Sequence, residues 1–411
     1  MGDFAVKDIR YTVLHVPFHE RCADAMQVYG PDWSIVELIE VETAGGVVGM
    51  GETIQGYTWG RSLEPQFARA RGRNIFDLLW DDSLGAGLQM ALFDAAGKHL
   101  NMPCHRLMGP QFRDACPVSW WAQSMPAEAW AEEARTAEAH GFNTMKVKAR
   151  PWYDIAAQLA AVDAATSSHF KLDADFNTML LGVDQAAPLI SKLERNTSCL
   201  AIVESPIPQD DVEGNKLLRQ KIYSPIAMHL GQPPVMTAIR EGVCDGFVIG
   251  GGVRQTLSDG NLAARAKMPF WLQMVGTGLT TTFAAHLGSV LEQARWPAIP
   301  CVNIYSHTLL KQFKVEGGHL RVPEAPGLGV ELDREAVERY RVAPDFAKPA
   351  VRQIHRISWP DGRELWTQDG GYRGDFTAGK ITGFLPGMAL DVRLDDGSET
   401  FDREYRERFG G

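Results

Sequence analysis

The sequence predicts an α/β fold built around a parallel βα barrel. Four short apolar segments between residues 144 and 231 each carry ionisable residues near their C-terminal ends, and they recur at intervals of 25 to 31 residues. That interval accommodates one strand, one helix and two connecting loops. Repeated βα units close into a barrel whose strands all end at the same face. The segments are Met145–Lys148, Leu172–Asp175, Ile202–Pro206 and Ile226–His229.

The alternation of strand and helix patterns continues on both sides of these segments and supplies the eight strands of one barrel. The predicted strands lie near residues 117–123, 144–149, 171–176, 200–205, 224–229, 246–250, 270–275 and 300–305. The predicted helices lie at about 127–140, 153–167, 182–195, 211–220, 233–242, 255–267 and 279–293. A run of three glycines, Gly250–Gly252, is interpreted as a tight turn, with an anion-binding loop as the alternative.

Residues 1–115 are predicted to form a separate α+β domain. It contains three β-forming segments, and a Gly-Gly turn connects the second segment to the third, which predicts an antiparallel sheet. These segments are Ile9–Val16, Ser34–Thr43 and Val47–Thr53. Residues 61–108 predict helices. Two loops, at 19–33 and 55–60, combine polar and aromatic residues and are predicted to cover a substrate.

The C-terminal quarter of the chain departs from the βα rhythm. Residues 116–322 form the predicted barrel, and residues 323–411 follow as a return segment and a β-rich extension. Turn sequences at Pro360–Gly362 and Asp395–Gly397 lie between β-forming flanks, which predicts two hairpins. The final residues, 402–409, are highly charged and are predicted to be exposed.

Composition excludes several classes of protein. The chain has 411 residues and a net charge of −10, which argues against nucleic acid or an anionic membrane as the main partner. It contains six cysteines without a CxxC pair, which indicates a reducing, cytoplasmic location. The first ten residues lack the apolar core of a signal peptide, and no run of 18 apolar residues predicts a membrane span.

Ionisable side chains at the ends of four neighbouring strands are predicted to meet at one barrel mouth. They are Lys146, Lys148, Asp173, Asp175, Glu204 and His229. Carboxylate oxygens on neighbouring strands suit a hard divalent cation such as Mg²⁺. Lysines beside such an ion have lowered pKa values and serve as general bases. The alternative interpretation is that all of these are ordinary polar strand ends.

An ordered set of separated motifs resembles the enolase superfamily, specifically its mandelate racemase and muconate lactonizing enzyme branch. The motifs are Met90–Lys98, Lys146-x-Lys148, Asp173–Asp175, Glu204-x-Pro206, Pro225–Ala227, Gly276–Gly278 with Ala285–Leu287, and Pro326–Gly329. The resemblance implies a modified (β/α)₇β TIM barrel under an N-terminal α+β capping domain. It also implies that a Mg²⁺ ion holds a small carboxylate substrate while a base removes the proton α to that carboxylate. The part of the chain after about residue 348 lies outside it.

The resemblance also suggests roles for individual residues. Asp173 and Glu204 match two metal ligands, and Lys148 matches the general base. Lys146 matches a neighbour that lowers the pKa of the base and contacts the substrate carboxylate. Further substrate contacts are expected from Asp175, Tyr57, Gln273 and Tyr305. Family members often assemble into homo-oligomers, so the same is expected here.

Three departures from the family pattern bear on the chemistry. Asp175 stands where an Asn is common, and His229 stands where a third carboxylate is usual. One interpretation is that His229 is a metal ligand, which shifts the metal preference of the site towards Mn²⁺, Fe²⁺ or Zn²⁺. The other is that His229 is a hydrogen-bonded barrel histidine. In that case either Asp175 replaces the missing carboxylate ligand or the metal site is degraded. Strands near 246–250 and 269–275 supply no second base, which leaves His307 and Tyr305 as candidate acids.

These observations predict a lyase or isomerase. The missing second base favours β-elimination by a dehydratase, or cycloisomerisation, of a hydroxy acid or sugar acid, with Lys148 as the base. A racemase or epimerase is the first alternative. A non-catalytic barrel that binds a carboxylate is the second, because fold alone does not fix function.

Overall fold

A three-stranded antiparallel sheet begins the chain in the computed structural model, which describes residues 2–57 and 59–410. The strands are β1 (Val6–His15), β2 (Ile35–Thr43) and β3 (Val48–Ile54). They pair in chain order, which confirms the predicted sheet. The helices of this part are α1 (Ala23–Tyr29), α2 (Glu64–Ala70), α3 (Ala86–His99) and α4 (His105–Met108). Short 3₁₀ turns lie at Pro31–Ser34, Ile75–Asp77 and Asp82–Leu84.

Helix α3 packs directly on strand β3 because glycines remove the side chains between them. A Cβ atom on Gly49 would collide with the carbonyl oxygen of Ala91, and one on Gly51 would collide with that of Gly87. The small residues of α3 thus allow a close approach of helix and sheet, and the helix is buried along nearly its whole length.

Asp94 on α3 ties three segments together. Its buried carboxylate accepts hydrogen bonds from the backbone N–H groups of Met50, at 2.8 Å, and Leu328, at 2.7 Å. It also forms an ion pair with Lys98 at 2.6 Å. Burial raises the pKa of Asp94, although the Lys98 charge opposes this. One carboxylate therefore fixes strand β3, helix α3 and the return segment to one another.

Seven parallel strands form the curled central sheet. Strand β4 (Ala115–Pro117) precedes them. The seven strands of the sheet are β5 (Trp120–Ala122), β6 (Thr144–Lys148), β7 (Lys171–Asp175), β8 (Leu200–Glu204), β9 (Ile226–His229), β10 (Gly246–Ile249) and β11 (Phe270–Leu272). The intervening helices are α5 (Ala127–Ala139), α6 (Ile155–Ala165), α7 (Val183–Asn196), α8 (Val212–Arg219), α9 (Val235–Glu241), α10 (Val253–Arg265) and α11 (Gly278–Ser289). Neighbours in the sheet follow chain order from β5 to β11, as successive βα units require.

An extended segment around residue 298 closes the barrel. Ala298 donates its N–H to Pro117 O at 2.9 Å, and its carbonyl accepts from Ser119 N at 2.9 Å. On the opposite edge Ile299 N donates to Leu272 O at 2.8 Å. These bonds join the two edges of the seven-stranded sheet, so the predicted TIM-barrel class is confirmed.

The prediction of an eighth strand near 300–305 is wrong. Cys301 has a left-handed backbone with φ 55°, and residues Val302–Ile304 form a 3₁₀ turn. The closing hydrogen bonds are already complete at residues 298 and 299, so the chain leaves the sheet before this run of β-formers. As a result Tyr305 is carried towards the N-terminal loop, where its hydroxyl donates to Trp33 O at 3.0 Å.

Two side chains of the N-terminal part cap helix α10 of the barrel. Asp82 accepts from the backbone N–H groups of Arg254, at 3.0 Å, and Gln255, at 2.9 Å. Gln89 accepts from Val253 N at 3.1 Å and donates to Asp82 at 2.8 Å. This filled N-terminus favours the tight-turn interpretation of Gly250–Gly252 over the anion-binding loop.

Glu52 on β3 caps the next helix, α11, in the same way. Its fully buried carboxylate accepts from the backbone N–H of Thr280 at 2.9 Å and from the hydroxyl of Thr277. Burial raises the pKa of Glu52, and these hydrogen bonds oppose the rise. Two neighbouring βα units are thereby joined to the N-terminal part through carboxylates at helix N-termini, where negative charge is favoured.

The return segment and the C-terminal extension complete the chain. Strand β12 (His319–Arg321) pairs with β4, and α12 (Arg334–Tyr340) follows. The extension, defined here as residues 353–409, contains β13 (Gln353–Ser358), β14 (Glu364–Thr367), α13 (Tyr372–Thr377), β15 (Ala389–Leu394) and α14 (Glu399–Phe409). Its strands lie in the order β14–β13–β15.

One of the two predicted hairpins is confirmed. β13 and β14 pair across the turn at Pro360–Gly362. The second hairpin prediction is wrong, because the turn at Asp395–Gly397 leads into α14, and β15 pairs with β13. The charged residues 402–409 lie on α14 and are exposed or half-buried. Within the described residues, no helix combines the length and apolarity needed to cross a bilayer.

A buried pair of histidines joins α4 to α11. The Nε2 atom of His286 lies 3.1 Å from Leu328 O, and its Nδ1 atom lies 3.4 Å from Nδ1 of His105. Since Nε2 of His286 donates to the carbonyl, its Nδ1 must be the unprotonated acceptor for His105. Burial lowers the pKa of His286 from 6.5 to about 4.

We expect acid to weaken the folded chain through His286. The unfolded ring takes up a proton near pH 6.5 while the folded ring stays neutral to about pH 4. The contribution of His286 to the free energy of unfolding is therefore complete above pH 6.5. It is lost as the pH falls through 6.5 towards 4, and the loss is about 3 kcal/mol in total. Thermal unfolding midpoints at pH 7.5, 6 and 5 should fall less steeply in His286→Gln than in the wild type. His319→Gln, an exposed histidine, is the control; equal slopes in all three proteins would contradict the assignment.

Candidate active site

Two lysines of β6 face the interior of the barrel mouth. Lys146 is fully buried, whereas the Lys148 side chain is 17% exposed. Residues 146 and 148 point to the same side because successive side chains of a strand alternate between its faces. The ammonium group of Lys146 also lies 5.4 Å from the centre of the Trp271 ring. The two amines thus lie at successive depths of the barrel mouth.

Carboxylates of β7 and β8 pair with these lysines. Lys148 Nζ lies 2.5 Å from Asp175 Oδ2, and Lys146 Nζ lies 3.6 Å from the same oxygen. Lys146 also contacts the carboxylate of Glu204. Sequence predicted that these four residues would meet, and the structure brings them together.

The charges of this cluster set the protonation of its members. Burial on its own would raise the pKa of Asp175, but Lys148, Lys146 and Arg150 outweigh burial and hold it below its usual range. Burial would lower the pKa of Lys146, but the negative charges led by Glu204 outweigh it and raise that pKa. The direction for Lys146 is opposite to the sequence expectation, which included the charge of a neighbouring metal ion.

Arg150 and Asn177 belong to the same cluster, and sequence analysis missed both. Buried Arg150 donates to Asn177 Oδ1 at 2.5 Å and to Asp175 O at 3.2 Å. Lys148 Nζ donates to Asn177 Oδ1 at 3.3 Å, and Asn177 N donates to Asp175 Oδ1 at 2.9 Å. The alternation Lys146, Lys148, Arg150 along the chain was the available signal, but Arg150 lies beyond the end of the strand.

Asp173 lies one step deeper in the barrel, beside a cavity of about 40 Å³ that Thr144 and Lys171 also line. Both of its carboxylate oxygens are buried and accept no hydrogen bond from the described residues. Burial raises the pKa of Asp173 well above its usual range, and the charge of Glu204 adds to the rise. A buried carboxylate in this state is destabilising unless a cation or donor approaches it.

His229 ends β9 at the rim of the mouth. Its Nε2 atom lies 3.3 Å from Glu204 Oε1, and its backbone N–H donates to the side chain of Gln209 at 2.8 Å. The ring is half-exposed to the pocket. The structure therefore places His229 beside a predicted metal ligand, with a free face towards solvent.

Two of the three candidate metal ligands, Asp173 and Glu204, carry the carboxylate oxygens that suit a divalent cation. Both oxygens of Asp173 lack a hydrogen bond from the described residues, whereas Glu204 contacts Lys146 through Oε2 and lies beside His229 through Oε1. Carboxylate oxygens of this kind are the ligands that a hard cation prefers. The third candidate, His229, supplies a nitrogen. As these side chains stand, no three His, Cys, Asp or Glu residues in the described part of the chain are grouped to hold a metal ion.

A pocket of about 440 Å³ opens above the cluster and is lined in part by Tyr57, His229, Gly250 and Gln273. Gln273 links this pocket to the lysines, because its Oε1 accepts from Lys146 Nζ at 2.9 Å and its amide donates to the hydroxyl of Tyr57. Burial raises the pKa of Tyr57 to about 12, so its hydroxyl is a neutral hydrogen-bonding group. Tyr57 and Gln273 thus lie where substrate contacts were predicted.

Aromatic rings from the N-terminal loops and from β5, called the roof here, meet beside Tyr57, which lines the pocket. The Trp33 ring lies 4.9 Å from that of Tyr57 and 5.8 Å from that of Trp121. Thr58, within the second predicted covering loop, lies outside the described residues. Tyr305 holds the roof through its bond to Trp33, and burial raises its pKa well above the usual range. Tyr305 is therefore connected to the roof of the pocket.

His307, the candidate acid, contacts the return segment. Its Nε2 atom lies 3.4 Å from Asp333 Oδ2, and its Nδ1 atom accepts from Leu309 N at 2.9 Å. Its ring also lies 6.1 Å from that of Tyr340. None of its described contacts is with the lysines, so the catalytic role of His307 stays a prediction.

Comparisons with known proteins agree with this architecture. Residues 129–336, just over half of the chain, match the family described as enolase C-terminal domain-like. Muconate cycloisomerase 1-2 of Acinetobacter lwoffii is 24% identical over 342 residues, which cover 74% of this chain and 87% of that protein. D-xylonate dehydratase of Haloferax volcanii is 24% identical over 358 residues, which cover 74% and 85%.

A solved structure extends the likeness to the fold. The enolase of Thermobispora bispora complexed with magnesium and formate superposes with a TM-score of 0.67 at 18% identity, covering 82% of this chain and 92% of that one. Such a likeness shows a common fold. The family match, which spans the strands that carry both lysines and both carboxylates, shows membership. The chain therefore belongs to the enolase superfamily, on its mandelate racemase and muconate lactonizing enzyme branch, and is a lyase or isomerase of that type.

Proposed function

We propose that the chain is a dehydratase that removes the α-proton of a hydroxy acid or sugar acid and then eliminates a β-hydroxyl group. The observation that carries the proposal is the position of Lys148, whose amine reaches the mouth and is held by Asp175 and Asn177. On the opposite side β10 and β11 end in Ile249 and Leu272, which are apolar. One base on one face suits elimination better than racemisation, which needs a base on each face.

The proton moves between the substrate and Lys148. Lys148 Nζ accepts the α-proton, and the electron pair of the broken C–H bond forms the C=C bond as the C–OH bond breaks. The ammonium group of Lys148 then returns its proton to the departing hydroxide, which leaves as water, and the enol product tautomerises to a 2-keto acid. The ion pair with Asp175, at 2.5 Å, matches the protonated amine that exists between these two transfers.

Other residues of this chain bind and orient the substrate. Lys146 and Gln273 direct a positive charge and an amide at the substrate carboxylate, and Tyr57 adds a neutral hydroxyl. Asp173, Glu204 and His229 would hold a divalent metal ion, which when bound supplies positive charge to the substrate carboxylate.

The metal that suits this donor set is not restricted to Mg²⁺. Asp175 is occupied by Lys148, Lys146 and the N–H of Asn177, so it does not replace a missing carboxylate ligand. That leaves His229, and an imidazole nitrogen binds Mn²⁺, Fe²⁺ or Zn²⁺ better than Mg²⁺. We therefore propose that His229 shifts the preference of this site towards those ions.

Replacing His229 by Asp should restore a preference for Mg²⁺. The change substitutes a hard oxygen donor for nitrogen, so the ratio of Mn²⁺ affinity to Mg²⁺ affinity should fall by about tenfold, equal to about 1.4 kcal/mol. Calorimetric titration of metal-free protein with each chloride salt measures this ratio without any turnover. His319→Asp, at an exposed histidine, is the control, and an unchanged ratio in His229→Asp would exclude His229 as a ligand.

Incubation with a panel of sugar acids in D₂O tests the proposed reaction. A dehydratase gives a 2-keto acid that semicarbazide traps. Recovered substrate that is inverted and deuterated at the α-carbon would instead identify an epimerase. Binding of a carboxylate without either product, at a saturating metal concentration, would favour the non-catalytic alternative.

Three broader assignments accompany the proposal. We propose three domains. The capping domain comprises residues 1–115, the barrel comprises residues 116–322, and the return segment with the extension comprises residues 323–411. The six cysteines are free and buried, which supports a reducing cytoplasmic location. A homo-oligomer is proposed from the family resemblance, and sedimentation analysis would test it.

A further inference from the structure

The C-terminal extension builds a second hydrophobic core on two loops of the barrel. The barrel contributes Trp152, Tyr153 and Met179 to this core. The extension contributes Ile357, Trp359, Tyr372, Phe376, Met388 and Leu390. The barrel residues belong to the loops that follow β6 and β7, the strands that end in Lys148 and Asp175. The extension therefore lies on the side of the mouth that carries the proposed base.

Backbone hydrogen bonds fix the first of these loops to the extension. Phe384 N donates to Pro151 O at 2.6 Å, and Asp154 N donates to Met388 O at 3.1 Å. The Asp154 carboxylate in turn accepts from Gly387 N at 2.8 Å. The loop between Lys148 and α6 is thus bound at both its middle and its end.

Ring contacts add to these bonds on both loops. The centre of the Trp152 ring lies 4.6 Å from that of Tyr372, in an edge-to-face arrangement. On the second loop the Phe176 ring lies 5.8 Å from that of Phe384. Pairs of this kind stabilise the packing beyond the effect of the area that they bury.

The second loop has a backbone that needs external support. Asn177, Thr178 and Leu181 have φ values of 43°, 66° and 59°. The left-handed region is unfavourable for a residue with a side chain, and such conformations persist where surrounding structure holds them. Met179 and Leu181, which lie within this stretch, pack in the second core with the extension.

A short series of contacts leads from these loops to the base. Arg150 lies on the first loop and donates to Asn177 on the second. Asn177 in turn accepts from Lys148 and donates to Asp175. Each partner of the Lys148 amine is therefore either on a loop that the extension covers or is bonded to one.

We propose that the extension is a positioning element for Lys148, acting through Arg150 and Asn177, so that residues added outside the barrel fix the direction of the proposed base. The inference depends on the proposed function only in naming Lys148 as the base. The geometric part, that the extension holds the amine in place, stands apart from the reaction and is tested without substrate.

Phe384→Ala removes the ring that packs on Phe176 while leaving the chain complete. Amide exchange in residues 149–154 and 176–181, measured by mass spectrometry, should rise by about tenfold or more, since about 1.4 kcal/mol of local support is lost. The rate profile for acylation of Lys148 by an amine reagent should rise, because its amine is less firmly held by Asp175 and Asn177. Lys171, which is bonded to the carbonyls of Ser168 and Ser198, should keep its wild-type profile.

Trp366→Ala is the matched control, since its ring contacts Arg356 and Arg408 on the other side of the extension. It should leave both loops and the Lys148 profile unchanged. If Phe384→Ala does not fold, Arg150→Lys tests the same contacts from the barrel side, because a lysine lacks the fork that reaches Asn177 and Asp175 together. A folded Phe384→Ala or Arg150→Lys with wild-type exchange and a wild-type Lys148 profile would overturn the proposal. If Lys148→Met lost activity while Phe384→Ala kept wild-type exchange and a wild-type Lys148 profile, the reaction would be supported and the positioning role rejected.

Discussion

Lys148→Met is expected to lose α-proton exchange by about 10²–10⁴-fold, the range that a general acid–base residue contributes. Methionine keeps much of the length of the lysine side chain but has no amine to accept the proton. Deuterium incorporation at the α-carbon, followed by proton NMR with a substrate found in the panel, measures the loss. The same variant should bind the substrate nearly as well as the wild type, because Tyr57 and Gln273 still line the pocket.

The control for this experiment is Lys171→Met. Lys171 begins the next strand, and its amine bonds to the carbonyls of Ser168 and Ser198, away from the mouth. Its replacement should leave exchange within about twofold of the wild-type rate, as expected for a residue outside the reacting groups. Exchange that continues at the wild-type rate in Lys148→Met would remove Lys148 as the base and leave Lys146 as the remaining amine of the cluster.

Asp94→Ala is expected to destabilise the fold by about 2–4 kcal/mol. The change leaves the N–H groups of Met50 and Leu328 without their acceptor and the ammonium group of Lys98 without its ion pair. These groups belong to three segments, so the sheet, helix α3 and the return segment each lose a stabilising contact. Denaturant unfolding followed by circular dichroism measures the change.

Asp114→Ala is the matched control for the stability experiment. Its side chain is 78% exposed, and its ion pair with Arg321 spans 3.6 Å, so its loss should cost no more than about 1 kcal/mol. If Asp94→Ala were as stable as Asp114→Ala, the three-way junction would contribute little to the fold.

Most of the active-site cluster could be predicted from sequence because regular strands fix it. In a strand, alternate residues share a face, so Lys146 and Lys148 had to point together. The regular length of the βα unit then placed Asp175 and Glu204 beside them at the same barrel end. The structure brings all four together.

Arg150 and Asn177 escaped prediction because they lie past the strand ends. The direction of each side chain depends on loop backbone that tertiary contacts determine, and Asn177 has a left-handed φ of 43°. Left-handed backbone is uncommon for residues other than glycine, and its enrichment at Asn does not identify which Asn of a chain adopts it. Their contacts with Lys148 and Asp175 follow from the fold of the whole chain.

The errors in secondary structure have local causes. The residues around Val302–Ile304 favour strand, but the barrel is already closed at Ala298 and Ile299, so their β preference has no partner edge. At the second turn, Ser398 caps α14 by accepting from Phe401 N at 3.1 Å. A serine followed by acidic residues is a helix-start signal that competes with the hairpin signal of the preceding Asp-Asp-Gly turn.

The capped helix N-termini of the barrel limit the classes of substrate that the mouth can bind. Free N–H groups at such positions are where βα barrels commonly hold phosphate esters. In this chain Asp82 and Glu52 already satisfy those groups on α10 and α11, and each brings a carboxylate that repels a dianion. The substrate is therefore expected among unphosphorylated acids, and a sugar acid phosphate should bind more weakly than its free counterpart.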